Sequence, residues 1–188
     1  MTAVDYDFEF IEDGRTIRSI SIGMAADDGR EYYAVVRDMD TMYAAVRHPW
    51  LRANVLPSLP IASVYVDECP DVWDWDDEHP DKPRVKPVET IADEVRAFLQ
   101  ATPDLELWAY YGAYDHVCLA QLFGTMVQLP GGIPMFTNDI AQEAHRLGLS
   151  TEDLPRQPAG LHHALADARH NRVRREFLRR YAAEHFDN

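Results

Sequence analysis

Apolar and polar positions alternate along the first third of the chain, with the period of two that marks strands. Val4 to Ile11 reads as a strand rich in aromatics, and Asp13-Gly14 as a hairpin turn. Ile17 to Ala25 follows, with Ile20, Ile22 and Met24 alternating against Ser19, Ser21 and Gly23. Asp27-Asp28-Gly29 turns the chain into a third strand, Glu31 to Val36. The period then becomes helical. Thr41 to Asn54 predicts a short helix broken by Pro49. Val88, Ile91, Ala92, Val95, Phe98 and Leu99 place an amphipathic helix over Val88 to Ala101. Leu105 to Tyr110 is an apolar run of the buried-strand type. A helix runs from Gly112 or Ala113 to Gly124, which ends it. Asn138 caps another through Leu147, and a Pro-containing loop, Ser150 to Gly160, leads to a last helix from about His163 to Glu184. There is no internal repeat. Three meandering strands, then helix, strand, helix and a terminal helix predict an α/β fold. It has a mixed central sheet with an antiparallel three-strand start and flanking helices, in one domain over residues 1–188.

Between about residues 57 and 87 the periodicity fades. Prolines fall at 57, 60, 70, 80, 83 and 87, and residues 67 to 81 hold eight acidic side chains and no Lys or Arg. This composition predicts a solvated loop. Trp73 and Trp75 within it suggest the sharper alternative of a lid or docking segment.

Composition narrows the picture further. The 188 residues and 46% hydrophobic content suit a globular domain with a real core. With 32 acidic against 18 basic side chains the formal charge is −14, which argues against coating nucleic acid through bulk charge. It leaves open a cleft in which bound cations supply the local positive charge. Cys69 and Cys118 form no CxxC pair, so neither a disulfide framework nor a cysteine zinc site is indicated. The N-terminus carries no signal-peptide pattern, and no stretch approaches the ~18 apolar residues of a membrane span. The expectation is a reduced, cytoplasmic protein. Neither GxGxxG nor GxxxxGK[ST] occurs.

Five polar residues carry the chemistry. Asp7 and Glu9, two apart on a strand, point to one face and place two carboxylates side by side. Unpaired, they repel, and a divalent cation resolves the conflict; hard Mg²⁺ or Mn²⁺ fits an all-oxygen donor set. Asp115 opens a helix that follows a buried strand, the end at which open α/β sheets gather ligands. Asp167 lies in the first turns of the last helix among Leu165, Ala166 and Ala168, where a carboxylate needs a metal or an ion pair. His162, at or just before the start of that helix, is of the residue type that most often serves as a general base, with His163 as its neighbour and rival. Each of the five has an ordinary structural explanation taken alone. His116 is read as mainly structural. Zinc catalysis would call for histidines at HxxxH-like spacing, and acyl chemistry for GxSxG; neither is present.

Asp7-x-Glu9, Tyr114-Asp115 and His162-x4-Asp167 resemble the three motifs of the DEDDh 3′–5′ exonucleases, which have a ribonuclease H-like fold. Three longer stretches are similar to the ribonuclease AS branch, polyadenylate-specific 3′-exoribonucleases of actinobacteria. They are Tyr6 to Gly14, Gly29 to Val35, and Leu107 to His116. The resemblance spans nearly the whole chain and weakens over Pro57 to Val88. It departs from the wider superfamily at Tyr111, where many members carry asparagine. The resemblance implies Asp7, Glu9 and Asp167 around one Mg²⁺ or Mn²⁺ ion, and Asp7 with Asp115, through water, at a second. It implies His162 as the base that activates the attacking water, and release of nucleoside 5′-monophosphates. Phe10 would stack on the terminal base, against the simpler reading that it belongs to the core. The implied partners are a single-stranded RNA 3′ end, with poly(A) favoured, and a second copy in a homodimer. The alternatives are a DNA or short-oligonucleotide exonuclease of the same superfamily, and a catalytically silent nucleic-acid-binding module. Arg169, Arg172, Arg175 and Arg179 form one stripe on the last helix, read as pairing with the protein's own acids in preference to RNA phosphates.

Overall fold

A computed structural model describes residues 1–62 and 73–186. Strand β1 (Thr2–Glu12) pairs antiparallel with β2 (Ile17–Ala26), and β2 antiparallel with β3 (Glu31–Val36). The first hairpin is closed by Asp13, whose Oδ1 accepts the Arg15 and Thr16 amides at 2.9 and 2.7 Å. Helix α1 (Met39–Arg47) starts two residues before the predicted helix because Asp38 caps it through the Asp40 amide. Pro49 opens a second helix, α2 (Pro49–Asn54), as its first residue, a position where its missing N–H costs nothing.

Four two-residue strands carry no periodic signal in the sequence. β4 (Ile61–Ala62) and β5 (Asp74–Trp75) pair with each other, and β6 (Val85–Lys86) adds parallel to β3. After α3 (Val88–Gln100), β7 (Leu105–Ala109) runs parallel to β1; after α4 (Ala113–Gln121), β8 (Asn138–Asp139) runs parallel to β7. Helices α5 (Ile140–Arg146) and α6 (Ala164–His185) complete the chain. The central sheet has the order β6-β3-β2-β1-β7-β8 and is mixed, with the antiparallel start at its heart. A six-stranded mixed sheet flanked by helices is consistent with a ribonuclease H-like α/β fold.

Alternation splits β1 between two layers. Val4, Tyr6 and Phe8 pack with Ile91, Val95 and Leu99 of α3 and with Cys118 and Leu119 of α4. On the opposite face, α1 and α2 enclose Ile20, Tyr33 and Val35, and α5 packs on α6 around Ile140, Leu147 and Leu178. Trp73 is buried in the α1–α2 layer, edge-on to both Tyr43 and Trp75, so this part of the acidic stretch is anchored in the fold. Residues 67–72 of that stretch lie outside the described residues. Among the described residues, no helix is long and apolar enough to cross a membrane.

The arginine stripe of α6 is consumed internally, as its sequence reading favoured. Arg175 is fully buried, with its Nε and Nη2 donating to Asp5 at 2.7–3.1 Å and Nη2 also to Asp27. Arg169 forks onto Glu31, Arg172 donates to the Ala26 carbonyl, and Arg179 reaches Glu106 at 3.2 Å. These contacts clamp α6 across β1 and β2.

Candidate active site

The site begins where β7 stops. Its register against β1 runs from Thr2↔Leu105 to Asp5↔Trp108, so β1 projects beyond its parallel neighbour from Tyr6 onward. The Phe8 amide, left without a strand partner there, donates to Asp115 Oδ1 at 2.8 Å. That bond locks the first turn of α4 to β1. On the face of β1 opposite the aromatic core, Asp7 and Glu9 meet Asp167, brought over by α6. One carboxylate oxygen from each of these three residues can be chosen so that all lie within 4.8 Å of one another. Asp115 is buried beside this trio and lines the same cleft of about 400 Å³.

Burial and crowding shift all four of these acids upward. Burial, followed by the charges of Asp167 and Asp115, pushes Glu9 up to about 8. Asp7 is pushed well above the usual carboxylate range by burial, then by Asp115, Glu9 and Asp167. Asp115 rises to about 7 through burial, opposed by its bond from the Phe8 amide. Burial also raises Asp167, against a hydrogen bond with Gln157. Four carboxylates so disfavoured as a group of anions form an oxygen-only donor set suited to a divalent cation such as Mg²⁺ or Mn²⁺.

The two adjacent histidines go separate ways. His162 faces the cleft with Nδ1 3.9 Å from Glu9 Oε1. Its backbone has φ 61°, in the left-handed region; its carbonyl accepts from Ser58 Oγ at 2.7 Å, and Trp50 sits edge-on to its ring at 4.9 Å. His163 turns toward the sheet, stacked on Tyr33 at 4.4 Å, with Nε2 3.9 Å from Asp81. His116 points its Nδ1 at the Thr137 hydroxyl at 3.0 Å.

Phe10 departs from simple alternation. Glu9 pairs with Ser21 but Phe10 with Ser19, which leaves Ile20 as an extra residue on β2. This bulge accompanies a half-buried Phe10 that packs on the core margin and also lines the cleft, stacked on Tyr114 at 5.7 Å and 12°.

Several lining residues escaped the sequence reading. Asn171 and Arg174 follow Asp167 at steps of four and seven, so they share its helix face, and that spacing was the available signal. Asn171 Nδ2 donates to the Tyr6 carbonyl at 3.3 Å, and Arg174 Nη1 to Asn171 Oδ1 at 3.2 Å. The Arg174 guanidinium also lies 4.2 Å over the Tyr110 ring. Tyr111 is 60% exposed on the cleft rim with φ 56°, a conformation in which asparagine is at home and tyrosine is strained. No sequence pattern marked Tyr110 or Gln157.

Comparison with known proteins points the same way. The 3′–5′ exoribonuclease Rv2179c-like domain matches residues 75–177, which include Asp115, His162 and Asp167. Two Mycobacterium tuberculosis proteins named as 3′–5′ exoribonucleases are similar over a longer span. They are Rv2179c of strain ATCC 25618 / H37Rv and MT2234.1 of strain CDC 1551 / Oshkosh. Each is 40% identical over 166 residues, covering 87% of this chain and 85% of its own.

Proposed function

From the membership of this chain in the Rv2179c-like 3′–5′ exoribonuclease family, we propose a two-metal-ion hydrolysis that removes nucleoside 5′-monophosphates from single-stranded RNA 3′ ends. The observation that carries the reading is the convergence of Asp7, Glu9 and Asp167 oxygens within 4.8 Å, beside buried Asp115. Asp7, Glu9 and Asp167 would hold one Mg²⁺ or Mn²⁺ ion, and Asp7 with Asp115 would hold the second. When bound, the pair supplies a polarised water and stabilises the negative charge that develops on the phosphate and the leaving oxygen.

The protein's own groups do the rest. His162, held over Glu9 by Ser58 and Trp50, takes the proton from the attacking water. A bond forms from the water oxygen to phosphorus as the bond to the 3′ oxygen breaks, and that oxygen leaves to gain a proton. Arg174, two turns along α6 from Asp167 and within electrostatic reach of Asp167 and Asp7, contacts the phosphate. Phe10 and its partner Tyr114 stack on bases near the end.

The likeness to DEDDh enzymes and to ribonuclease AS supports a preference for adenylate-rich ends, and a homodimer that sedimentation tests. The buried free thiol of Cys118 suits a reducing, cytoplasmic setting. A 5′-labelled oligo(A) incubated with Mn²⁺ or Mg²⁺ should shorten stepwise from its 3′ end, and EDTA or Asp7→Ala should stop it. Activity that survives Asp7→Ala sinks the site assignment. Equal rates on oligo(A), oligo(U) and oligo(C) remove the adenylate preference, and faster cleavage of single-stranded DNA replaces RNA as the substrate.

A further inference from the structure

The stacked pair Phe10–Tyr114 stands at a divide. On one side lies the carboxylate cleft. On the other, Tyr114 also lines a groove beneath the β1–β2 hairpin, together with Arg15, Thr16, Ile17 and Val117. Ile17 in turn lines a larger cavity of about 420 Å³, walled by Arg18, Ser19, Arg37 and Gln121. The cleft and the groove share Tyr114, and the groove and the larger cavity share Ile17, so the three follow one another along α4. Tyr114, Val117, Cys118 and Gln121 recur at helical spacing, so they present one face of that helix to the channel.

We propose that this channel holds the RNA chain upstream of the scissile phosphate, an inference that rests on the cleft's accepting an RNA 3′ end. The physical case is continuity, charge and length. Tyr114 is 55% and Val117 44% exposed, an apolar strip beside the cleft against which bases can lie. Arg15, Arg18 and Arg37 lie along the channel's length in a chain of net charge −14. Among the described residues, no ion pair engages the Arg18 or Arg37 guanidinium, although Arg18 lies within electrostatic reach of Asp13. The channel also carries three acids: Glu12, which accepts from the Gly14 amide, Asp38, which caps α1, and Glu89 in the first turn of α3. By contrast Arg169, Arg175 and Arg179 of α6 are taken up by Asp5, Asp27, Glu31 and Glu106. From Tyr114 to Gln121 the helix rises ~10 Å at ~1.5 Å per residue. That accommodates roughly three stacked nucleotides at ~3.4 Å each. The channel therefore reads as a sequence-tolerant track: phosphates against Arg18 and Arg37, bases against Tyr114 and Val117.

The test is equilibrium binding of a labelled, hydrolysis-resistant phosphorothioate RNA 12-mer, compared with a 3-mer that fills only the cleft, for the wild type and Arg18→Ala/Arg37→Ala. We expect 12-mer affinity to fall about tenfold in the double variant while 3-mer affinity stays within twofold. The salt dependence of 12-mer binding should flatten by about 1.4, two phosphate contacts at ~0.7 each. The double Lys variant, which keeps the charge, should hold most of the affinity. Unchanged 12-mer affinity and salt slope in the Ala variant overturn the track, and so does an equal loss for the 3-mer. Arg156→Ala, at an exposed residue next to the cleft-lining Gln157, tests a different path: a loss there with none at Arg18/Arg37 also overturns the track. Turnover of the unmodified 3-mer is scored separately. If the wild type binds both RNAs yet cleaves neither with Mn²⁺, the catalytic reading fails while the track stands.

Discussion

Gly23 on β2 and Leu165 on α6 meet backbone to backbone: a Cβ on the glycine would overlap the Leu165 amide nitrogen and Cα. Gly23 is also the register partner of Asp7, and Asp167 stands two residues beyond Leu165. The absence of a side chain at Gly23 therefore sets how closely Asp167 approaches Asp7. The Arg175 clamp on Asp5 and Asp27 holds the helix down two turns further along.

Gly23→Ala should lift the start of α6 off the sheet. Overpacking of this kind costs ~1–3 kcal/mol of stability. Because the displaced helix carries Asp167, Mn²⁺ affinity should drop by at least tenfold, beyond what the loss of stability explains. Isothermal titration beside thermal unfolding checks this. Gly131→Ala, whose Cβ meets nothing within 4 Å, is the control and should change neither.

The carboxylate cluster makes the metal-free protein sensitive to pH in a defined sense. Glu9 moves from an ordinary value of 4.5 to about 8, and Asp115 from 3.8 to about 7. For groups raised in the fold, the stabilising contribution is complete below the ordinary value and is lost as pH rises through the folded one. The unfolding midpoint in EDTA should therefore decline between about pH 5 and pH 8 on account of these two acids. Glu9→Gln should flatten the decline, because a neutral amide has no proton to lose. Added Mg²⁺ or Mn²⁺ should stabilise more at pH 8 than at pH 5, since binding at the lower pH must first displace protons. A midpoint in EDTA that rises over that interval, unaltered by Glu9→Gln, contradicts the assignment.

What the sequence made legible follows from how far each signal reaches. β1 to β3, α3, α4 and α6 are long, periodic and locally determined, and their patterns survive into the structure. β4, β5, β6 and β8 are two residues each; Lys86, Asn138 and Asp139 become strand residues only through partners far along the chain. The extra residue Ile20, which flips the side of β2 and accompanies the re-aimed Phe10, leaves no trace in the alternation before it. Trp73 shows the opposite error: one buried indole outweighs the polarity around it. Of the candidate site, the acids that meet in the cleft were legible because hard-cation chemistry restricts residue types, and His162 was legible by its place five residues before Asp167. Tyr110 and Gln157 were not, because aromatic and amide groups serve equally in any wall.

His162 and His163 separate by their surroundings. His162→Ala should lower kcat by about 10²–10⁴, the usual contribution of a positioned base, with Mn²⁺ affinity little changed. His163→Ala loses the stack on Tyr33 and should lower the unfolding midpoint, with activity per folded molecule within about threefold of wild type. Steady-state rates and melting curves on the same preparations decide it. The reverse pattern would exchange the two roles.

Arg174 offers a prediction with opposite signs for metal and RNA. One residue from the buried Arg175, it is rotated by a helical step of about 100° out of the salt-bridge network and into the cleft. There it lies over Tyr110 and faces the negative charge of Asp167 and Asp7. A fixed cation beside a cation site opposes metal binding, whereas an anionic phosphate between them is attracted by both. Arg174→Ala should therefore leave Mn²⁺ affinity equal or raised severalfold, while kcat/KM on oligo(A) falls by about 10–100-fold, the loss of one or two charge-assisted hydrogen bonds. Arg174→Lys keeps the charge but not the planar fork, so it should recover only part of the rate. Parallel loss of metal affinity and activity in Arg174→Ala would instead mean that the guanidinium props up α6 through Asn171, and melting curves would show that loss as a lowered midpoint.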